Sequence, residues 1–177
     1  MTNNESIKVH NDYLYDIVGR GVIIKGYIGN ETKITIPEFI ENKPVTKIDS
    51  EAFEGKNLLE VTMPDTIKEI GKYAFASNMY LTKINLSSSL KSIPEGMLAF
   101  CSKLKELEIP SSVKSMGKNS LDFVKLRTLV IPSSVNKINN KIFGIKLEEN
   151  RRTTFVVEKD SFAEELLSSK DLNIEYK

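Results

Sequence analysis

Apolar residues recur along this chain as short pairs, two positions apart, and a proline or serine follows each pair. Apolar residues with this spacing point to one face of a β-strand. The segments stand at steps of 23, 23 and 22 residues: Val61–Pro64, Ile84–Ser87, Leu107–Pro110 and Leu129–Pro132. A repeat of this length predicts a solenoid, in which each coil buries its apolar side only against its neighbours.

Each unit continues from this strand in the same way. In the unit that begins at Leu58, Ile67 and Ile70 predict a second short strand on the opposite wall, and Ala74 and Phe75 place a small residue and an aromatic plug in the core. A longer unit begins at Ile34, so the sequence predicts five units. Proline after the strand ends its pairing because proline has no N–H to donate.

A tight turn is predicted after the second-wall strand. The residues there are Asp49, Gly71, Pro94, Gly117 and Asn139 in successive units. Asp, Gly and Asn tolerate a left-handed backbone, which predicts that conformation at this position. Proline has its φ fixed near −65°, so Pro94 predicts a different turn in its unit.

The two ends of the chain predict caps around one repeat domain over residues 12–177. Residues 1–11 are predicted to be a polar tail, residues 12–33 a β-hairpin cap, residues 34–144 the repeats and residues 145–177 a C-terminal cap. The C-terminal cap is predicted to contain a strand, a helix and a second strand. Ser161 and Glu164 have the spacing of a capping box at the start of that helix.

The repeated sequence resembles the BspA-like class of bacterial leucine-rich repeats. The matching segments are Ile48–Phe53, Ile70–Phe75, Ile109–Val113 and Ile131–Val135. The resemblance covers about residues 13–177 and departs at Met97-Leu98 and Ser120-Leu121, where the family prefers a small residue and then phenylalanine. It implies a right-handed, β-rich α/β leucine-rich-repeat solenoid of about five repeats of 22–23 residues.

The same resemblance implies a location and a role. Proteins of this class are mostly secreted or attached to the bacterial cell surface, and they are linked to adhesion and host-protein binding. We therefore expect an extracellular or cell-surface location, although Met1–Ile7 lack the basic and apolar regions of a secretory signal.

Composition narrows the classes of partner. The 25 basic and 24 acidic residues of the 177-residue chain leave a net charge of +1, which gives no global attraction to nucleic acid or to an anionic membrane. No apolar run approaches the roughly 20 residues that cross a bilayer. The expected partner is a protein or glycan of unknown identity, and the sequence does not indicate an oligomeric state.

The residues between the apolar strand positions form a candidate binding face. They are Thr35, Thr62, Asn85, Glu108 and Val130. One interpretation is a shallow polar surface for a protein or glycan. The other is ordinary solvated strand surface, and the adjacent row of alternating lysine and glutamate supports it, because opposite charges on neighbouring strands interact only weakly.

A second candidate is a basic stripe on the opposite wall. Lys68, Lys91 and Lys114 occupy equivalent positions of successive units. Stacked lysines would suit an acidic glycan, a lipid headgroup or an acidic protein. The alternative, generic solubilising lysines, is favoured because Glu69 and Glu95 lie close enough in sequence to dilute the field.

Candidate catalytic chemistry is sparse. His10 and Cys101 are the only histidine and cysteine, so the sequence predicts no zinc set, no Ser-His-Asp or Cys-His pairing, and no cofactor site. Cys101 is expected to be a buried, inert thiol. We therefore predict a non-catalytic binding scaffold, with adhesion as the leading role. The alternative is a structural spacer or self-assembly module without a separate ligand.

Overall fold

Two walls of short parallel strands run along the stack in the computed structural model, which describes residues 7–177. Their bounds, together with those of the flanking antiparallel strands, are β1 (Lys8–His10), β2 (Tyr13–Val18), β3 (Gly21–Tyr27), β4 (Lys33–Thr35), β5 (Phe39–Ile40), β6 (Lys43–Ile48), β7 (Glu60–Thr62), β8 (Glu69–Ile70), β9 (Lys83–Asn85), β10 (Ser92–Ile93), β11 (Glu106–Glu108), β12 (Ser115–Met116), β13 (Thr128–Ile131), β14 (Lys137–Ile138), β15 (Thr154–Val157) and β16 (Ile174–Tyr176). A 3-10 helix covers Leu147–Glu149, and the α-helix α1 covers Phe162–Ser168.

The first wall, called the strand wall here, contains β4, β7, β9, β11, β13, β15 and β16. The predicted β-rich solenoid is confirmed, with about seven coils. The first five strands belong to the five predicted units. The strands β15 and β16 continue the parallel ladder from β13, so the C-terminal cap adds two rungs to the wall.

The second wall contains the two-residue strands β8, β10, β12 and β14 and begins with β3 and β6. The predicted N-terminal hairpin is formed by β2 and β3, and β3 then pairs in parallel with β6. The strand β1 pairs antiparallel with β2, which corrects the predicted polar tail at Lys8–His10. The rest of that tail, residues 1–6, lies outside the described residues.

A column of one large side chain per coil runs through the core between the walls. Phe53 and Phe75 are fully buried, and their rings stack at 4.9 Å with an interplanar angle of 5°. Leu98 and Leu121 take the same place in the next two coils and are also fully buried. The departures from the family pattern therefore keep the column closed. Ser120, beside Leu121, has a buried Oγ without a hydrogen-bond partner among residues 7–177.

The predicted left-handed turn lies two residues later than expected. Glu51, Tyr73, Gly96 and Asn119 have φ of 61°, 56°, 65° and 55°. Gly71 is required for a different reason, since a Cβ there would lie 2.2 Å from the backbone nitrogen of Ser50 in the preceding coil. The glycine allows close coil packing, and Pro94 fits the same row because no positive φ is needed there.

The helix α1 begins at the predicted cap. The Ser161 hydroxyl accepts a hydrogen bond from the Glu164 N–H at 3.1 Å, which satisfies one free N–H of the first turn. The Glu164 carboxylate accepts from the N–H of Asp160, one residue before the cap. Ala163 and Leu167 are the buried residues of the helix.

Candidate functional site

The five predicted strand-face residues form a row along the strand wall. Thr35 lies opposite Thr62, Thr62 opposite Asn85, and Glu108 opposite Val130. Four of the side chains are exposed and Val130 is half-buried. The alternation of the strands produces this arrangement, because the flanking residues of each strand point into the core.

A groove of about 750 Å³ crosses this row at its middle. The strand wall consists of two sheets, β4-β7-β9 and β11-β13-β15-β16, and the groove lies over the junction between β9 and β11. Asn85, Glu108 and Val130 line the groove, whereas Thr35 and Thr62 do not. The structure therefore brings three of the five predicted residues together.

Charged groups of the groove are partly paired. The Lys177 Nζ donates a hydrogen bond to Glu108 Oε1 at 3.2 Å, although β13 and β15 lie between β11, which contains Glu108, and β16, which Lys177 follows. Hydrogen bonds from Ser133 hold the pKa of Glu158, another lining residue, below its ordinary value. Glu158 and Lys177 follow β15 and β16, so their contribution depends on the cap strands joining the ladder.

Outside the groove, the charges of the strand wall cancel directly. Lys33 and Glu60 form an ion pair at 2.5 Å, and the hydrogen bond from Lys33 lowers the pKa of Glu60. In the next strand, Lys83 lies opposite Glu60 and is itself a lining residue of the groove. This part of the wall has the character of ordinary solvated strand surface.

The unit that contains β9 and β10 has a serine where the other units have proline. The Ser87 side chain is buried; its hydroxyl donates to the Ile67 carbonyl at 2.6 Å and accepts from the Ser89 N–H at 3.1 Å. This hydroxyl ties the end of β9 to the preceding coil next to the groove. Sequence reasoning treated Ser87 only as a substitute for proline.

The three lysines of the basic stripe lie on consecutive coils. The Lys91 N–H donates to the Lys68 carbonyl at 3.3 Å, and the Lys114 N–H donates to the Lys91 carbonyl at 2.9 Å. All three side chains are exposed, and none forms an ion pair among residues 7–177. Lys68 and Lys91 also line a hollow of about 380 Å³ on this wall.

The acidic residues near the stripe have other partners. Glu69 pairs with Lys47 at 3.7 Å, and Glu95 pairs with Lys72 at 2.8 Å. The hydrogen bond from Lys72 lowers the pKa of Glu95. These contacts weaken the sequence argument that Glu69 and Glu95 dilute the stripe, because each carboxylate is matched by a different lysine.

Within residues 7–177, no group of three or more His, Cys, Asp or Glu side chains is placed to hold a metal ion. The Cys101 thiol is buried, donates to the Phe75 carbonyl at 3.3 Å, and has its pKa raised by burial to about 12. No helix in the described part is both long and apolar enough to span a bilayer.

Comparison with solved structures finds three informative relatives. A leucine-rich-repeat protein of T. pallidum has 22% identity and a TM-score of 0.76, over 84% of this chain and 70% of that one. A leucine-rich cell-surface protein of Faecalibacterium prausnitzii has 26% identity and a TM-score of 0.71, over 98% of this chain. This chain spans 40% of the length of that cell-surface protein.

The third relative, a leucine-rich-repeat protein of Bacteroides capillosus, has 34% identity and a TM-score of 0.59, over 69% of this chain and 99% of that one. Comparison with curated proteins gives no match. The family description "BspA type Leucine rich repeat region" matches residues 27–147 in 6 copies, one more than the units predicted from the sequence. The chain therefore belongs to the BspA-type leucine-rich-repeat family.

Proposed function

We propose that this chain is a non-catalytic binding module of a bacterial cell-surface protein, and that its ligand, a protein or glycan, lies across the groove of the strand wall. The observation that carries the proposal is the groove itself, which gathers Asn85, Glu108 and Val130 at the junction of two sheets. A surface location is supported by the similarity to a cell-surface protein of F. prausnitzii. Adhesion is the role that we propose for such a module.

The chemistry of the groove favours recognition over catalysis. Its lining combines amide, hydroxyl and charged groups with apolar strand residues, as in surfaces that bind by shape and hydrogen bonds. The groove lies on parallel strands held by a continuous core, so its side chains are positioned before the ligand arrives. Such preorganisation reduces the entropy lost on binding.

The test is binding of the purified chain to an array of extracellular-matrix proteins, sulfated glycans and epithelial surface receptors at low and high salt. Asn85→Arg and Val130→Arg should each abolish a groove-bound hit, because a long charged side chain fills the groove. Thr35→Arg is the matched control, since Thr35 has the same strand position and lies outside the groove. Equal binding by Asn85→Arg, Val130→Arg and Thr35→Arg would contradict the proposal that the ligand binds in the groove.

The basic stripe is a second candidate surface, supported by its three lysines without ion pairs among the described residues. A ligand held there should be released by salt, because exposed charges are screened within about 8–10 Å at moderate ionic strength. Changing Lys68, Lys91 and Lys114 together to glutamate should abolish that binding, and the same three changes to arginine should retain it. Unchanged binding by the glutamate variant would eliminate the stripe.

A structural spacer or self-assembly module remains the alternative role. It predicts no hit at micromolar protein and self-association that increases with concentration. Sedimentation velocity over a range of protein concentrations distinguishes the two roles. A monomer with a specific, groove-dependent hit supports the binding module.

A further inference from the structure

Lysines are concentrated on the second wall of the solenoid, beyond the three of the basic stripe. Four equivalent segments of five residues contain β8, β10, β12 and β14, and we call their surface the lysine face: residues 68–72, 91–95, 114–118 and 136–140. The charged residues in these segments are six lysines and two glutamates: Lys68, Lys72, Lys91, Lys114, Lys118, Lys137, Glu69 and Glu95. The excess of four positive charges is larger than the net charge of +1 of the whole chain, so the rest of the chain is net negative.

The two glutamates do not neutralise the lysine face. Glu69 pairs at 3.7 Å with Lys47, which lies outside the face, and Glu95 pairs at 2.8 Å with Lys72. The other five lysines are exposed and have no ion pair within the described part of the chain: Lys68, Lys91, Lys114, Lys118 and Lys137. The face therefore presents uncompensated positive charge to solvent.

The positive excess increases along the face toward β14. The hollow beside β8 is lined by three lysines and by two carboxylates, Asp49 and Glu69, so its charge is nearly balanced. The segments around β12 and β14 contain Lys114, Lys118 and Lys137 and no acidic residue. An acidic ligand is therefore attracted most strongly to β10, β12 and β14 and not to the hollow.

The lysines follow the axis of the solenoid. Lys91 is bonded through its backbone to Lys68, Lys114 is bonded in the same way to Lys91, and Lys137 lies opposite Ser115 in the next strand. Neighbouring strands are about 4.8 Å apart, so three steps from β8 to β14 cover about 14 Å. A small anion contacts only one or two of these lysines. A ligand that contacts them all must be extended and must carry negative groups along its length.

Hydroxyl groups lie beside the lysines. Ser92 lies opposite Ser115 in the register of β10 and β12, and both residues are half-buried. Neither hydroxyl has a hydrogen-bond partner among residues 7–177. Each can therefore bond to a hydroxyl group of a sugar that lies over the strands.

Other classes of polyanion fit this face less well. The four segments contain no aromatic residue and no arginine, whereas single-stranded nucleic acids are held by aromatic stacking and phosphates by the arginine fork. None of the large exposed hydrophobic residues of the described chain lies in these segments, whereas insertion into a membrane surface uses such residues. The centre of a protein interface is also enriched in aromatic residues.

We propose that the lysine face binds a linear sulfated polysaccharide, which lies along the solenoid axis over β10, β12 and β14. Its sulfate groups accept hydrogen bonds from the exposed lysines, and its sugar hydroxyls bond to Ser92 and Ser115. This inference rests on the proposed role as a binding module and names the ligand class of its second candidate surface. The groove is lined by three glutamates and two lysines, so it does not attract the same ligand.

The test is fluorescence anisotropy with a labelled heparin decasaccharide at increasing salt. Binding should be saturable, and the logarithm of the affinity should fall linearly with the logarithm of the salt concentration, because each sulfate that meets a lysine releases a counterion. Lys118→Gln combined with Lys137→Gln should weaken binding about tenfold or more and should lower that slope by about 1–2. A heparin disaccharide should bind much more weakly than the decasaccharide, because it spans fewer coils.

Controls separate the lysine face from general attraction to charge. Lys103→Gln combined with Lys125→Gln removes the same charge from exposed lysines outside the face and should leave binding unchanged. Lys118→Arg combined with Lys137→Arg should retain binding. The groove variant Asn85→Arg should bind heparin normally, so failure of this site and failure of the groove are distinguishable. Circular dichroism and thermal melting verify that each variant is folded.

Several results would overturn the inference. These are no saturable binding at micromolar protein, equal weakening by the two glutamine double variants, or equal affinity for heparin from which the sulfates have been removed. Equal binding of inorganic polyphosphate or of a DNA oligonucleotide would make the face a general polyanion surface. Binding only of phosphatidylglycerol vesicles would assign it to a membrane. A groove-dependent hit without heparin binding would leave the proposed function standing and eliminate this site.

Discussion

Two pairs of stacked phenylalanines in this protein have the same ring distance and opposite surroundings. The inner pair, Phe53 and Phe75, and the outer stack, Phe100 and Phe123, both have centroids 4.9 Å apart. The inner pair is fully buried, whereas the outer stack is exposed and has a left-handed backbone. The coil spacing produces both stacks, so stacking alone does not show how much a pair contributes to stability. Burial and backbone conformation do.

The largest expected effect is at the inner pair. Phe75→Ala should lower the free energy of unfolding by about 3–5 kcal/mol, because it removes a fully buried ring and leaves a cavity between coils. Urea denaturation measures the loss. The matched change in the outer stack, Phe123→Ala, should have a much smaller effect. A similar loss at both positions would break the comparison.

A buried amide tests how the inner pair is anchored. Asn78 Nδ2 donates to the carbonyls of Phe53 and Phe75 at 2.8 Å each, and Oδ1 accepts from the Leu58 N–H at 3.0 Å. Asn78→Ala should cost about 1–3 kcal/mol, because buried backbone groups lose their partners. Cys101→Ala, at the equivalent position one coil later, is the control and should cost less, since a thiol is a weaker hydrogen-bond donor than an amide. The reverse order in urea denaturation would contradict the anchoring role.

Tyr13 extends the aromatic column of the inner pair toward the N-terminal cap. Its ring lies 6.3 Å from that of Phe53, and burial is the main cause that raises its pKa from 10.0 to about 12. Because the folded pKa is raised, the stabilising contribution is complete below pH 10 and is lost as the pH rises toward 12. The loss should approach roughly 2 kcal/mol by pH 12.

Alkaline denaturation of a Tyr13→Phe variant measures this effect. The variant should lose the part of the pH dependence of stability that falls between pH 10 and 12. It also loses the hydrogen bond that the Tyr13 hydroxyl donates to the Thr35 carbonyl at 3.2 Å. Tyr80→Phe is the control, because Tyr80 is exposed. An unchanged alkaline slope in Tyr13→Phe would show that the buried tyrosine does not control it.

The sequence predicts the buried position of the inner pair, and it does not predict the outer stack. The period of 22–23 residues fixes the register of the strands, so Phe75 in the core and the stacking of Lys68 on Lys91 followed from spacing. The groove did not follow, because the division of the strand wall at β9 and β11 depends on tertiary packing. Lys177 reaches Glu108 only because β15 and β16 continue the ladder.

The outer stack did leave a signal in the sequence. Phe100 and Phe123 are 23 residues apart, at a coil position that is Ser77 in the unit before them and Ile145 in the unit after them. The sequence predicts the left-handed turn directly after the second-wall strand, whereas the positive φ values lie farther along each coil, at Phe100 and Phe123 among other residues. A repeat shows which positions are equivalent, and it does not show which of them require a positive φ.

The smallest expected effect is at the outer stack itself. Phe100→Gly should leave the free energy of unfolding within about 1 kcal/mol of that of the unchanged protein. The variant loses the ring stacking, and glycine has more entropy in the unfolded chain, but relief of the strained left-handed backbone offsets both effects. Urea denaturation beside Phe75→Ala gives the measurement, and Phe39→Ala shows what loss of an exposed ring does without backbone relief. A large destabilisation by Phe100→Gly would make the outer stack a second structural pair. The contacts of the Phe100 ring would then have to outweigh the strain of its left-handed backbone.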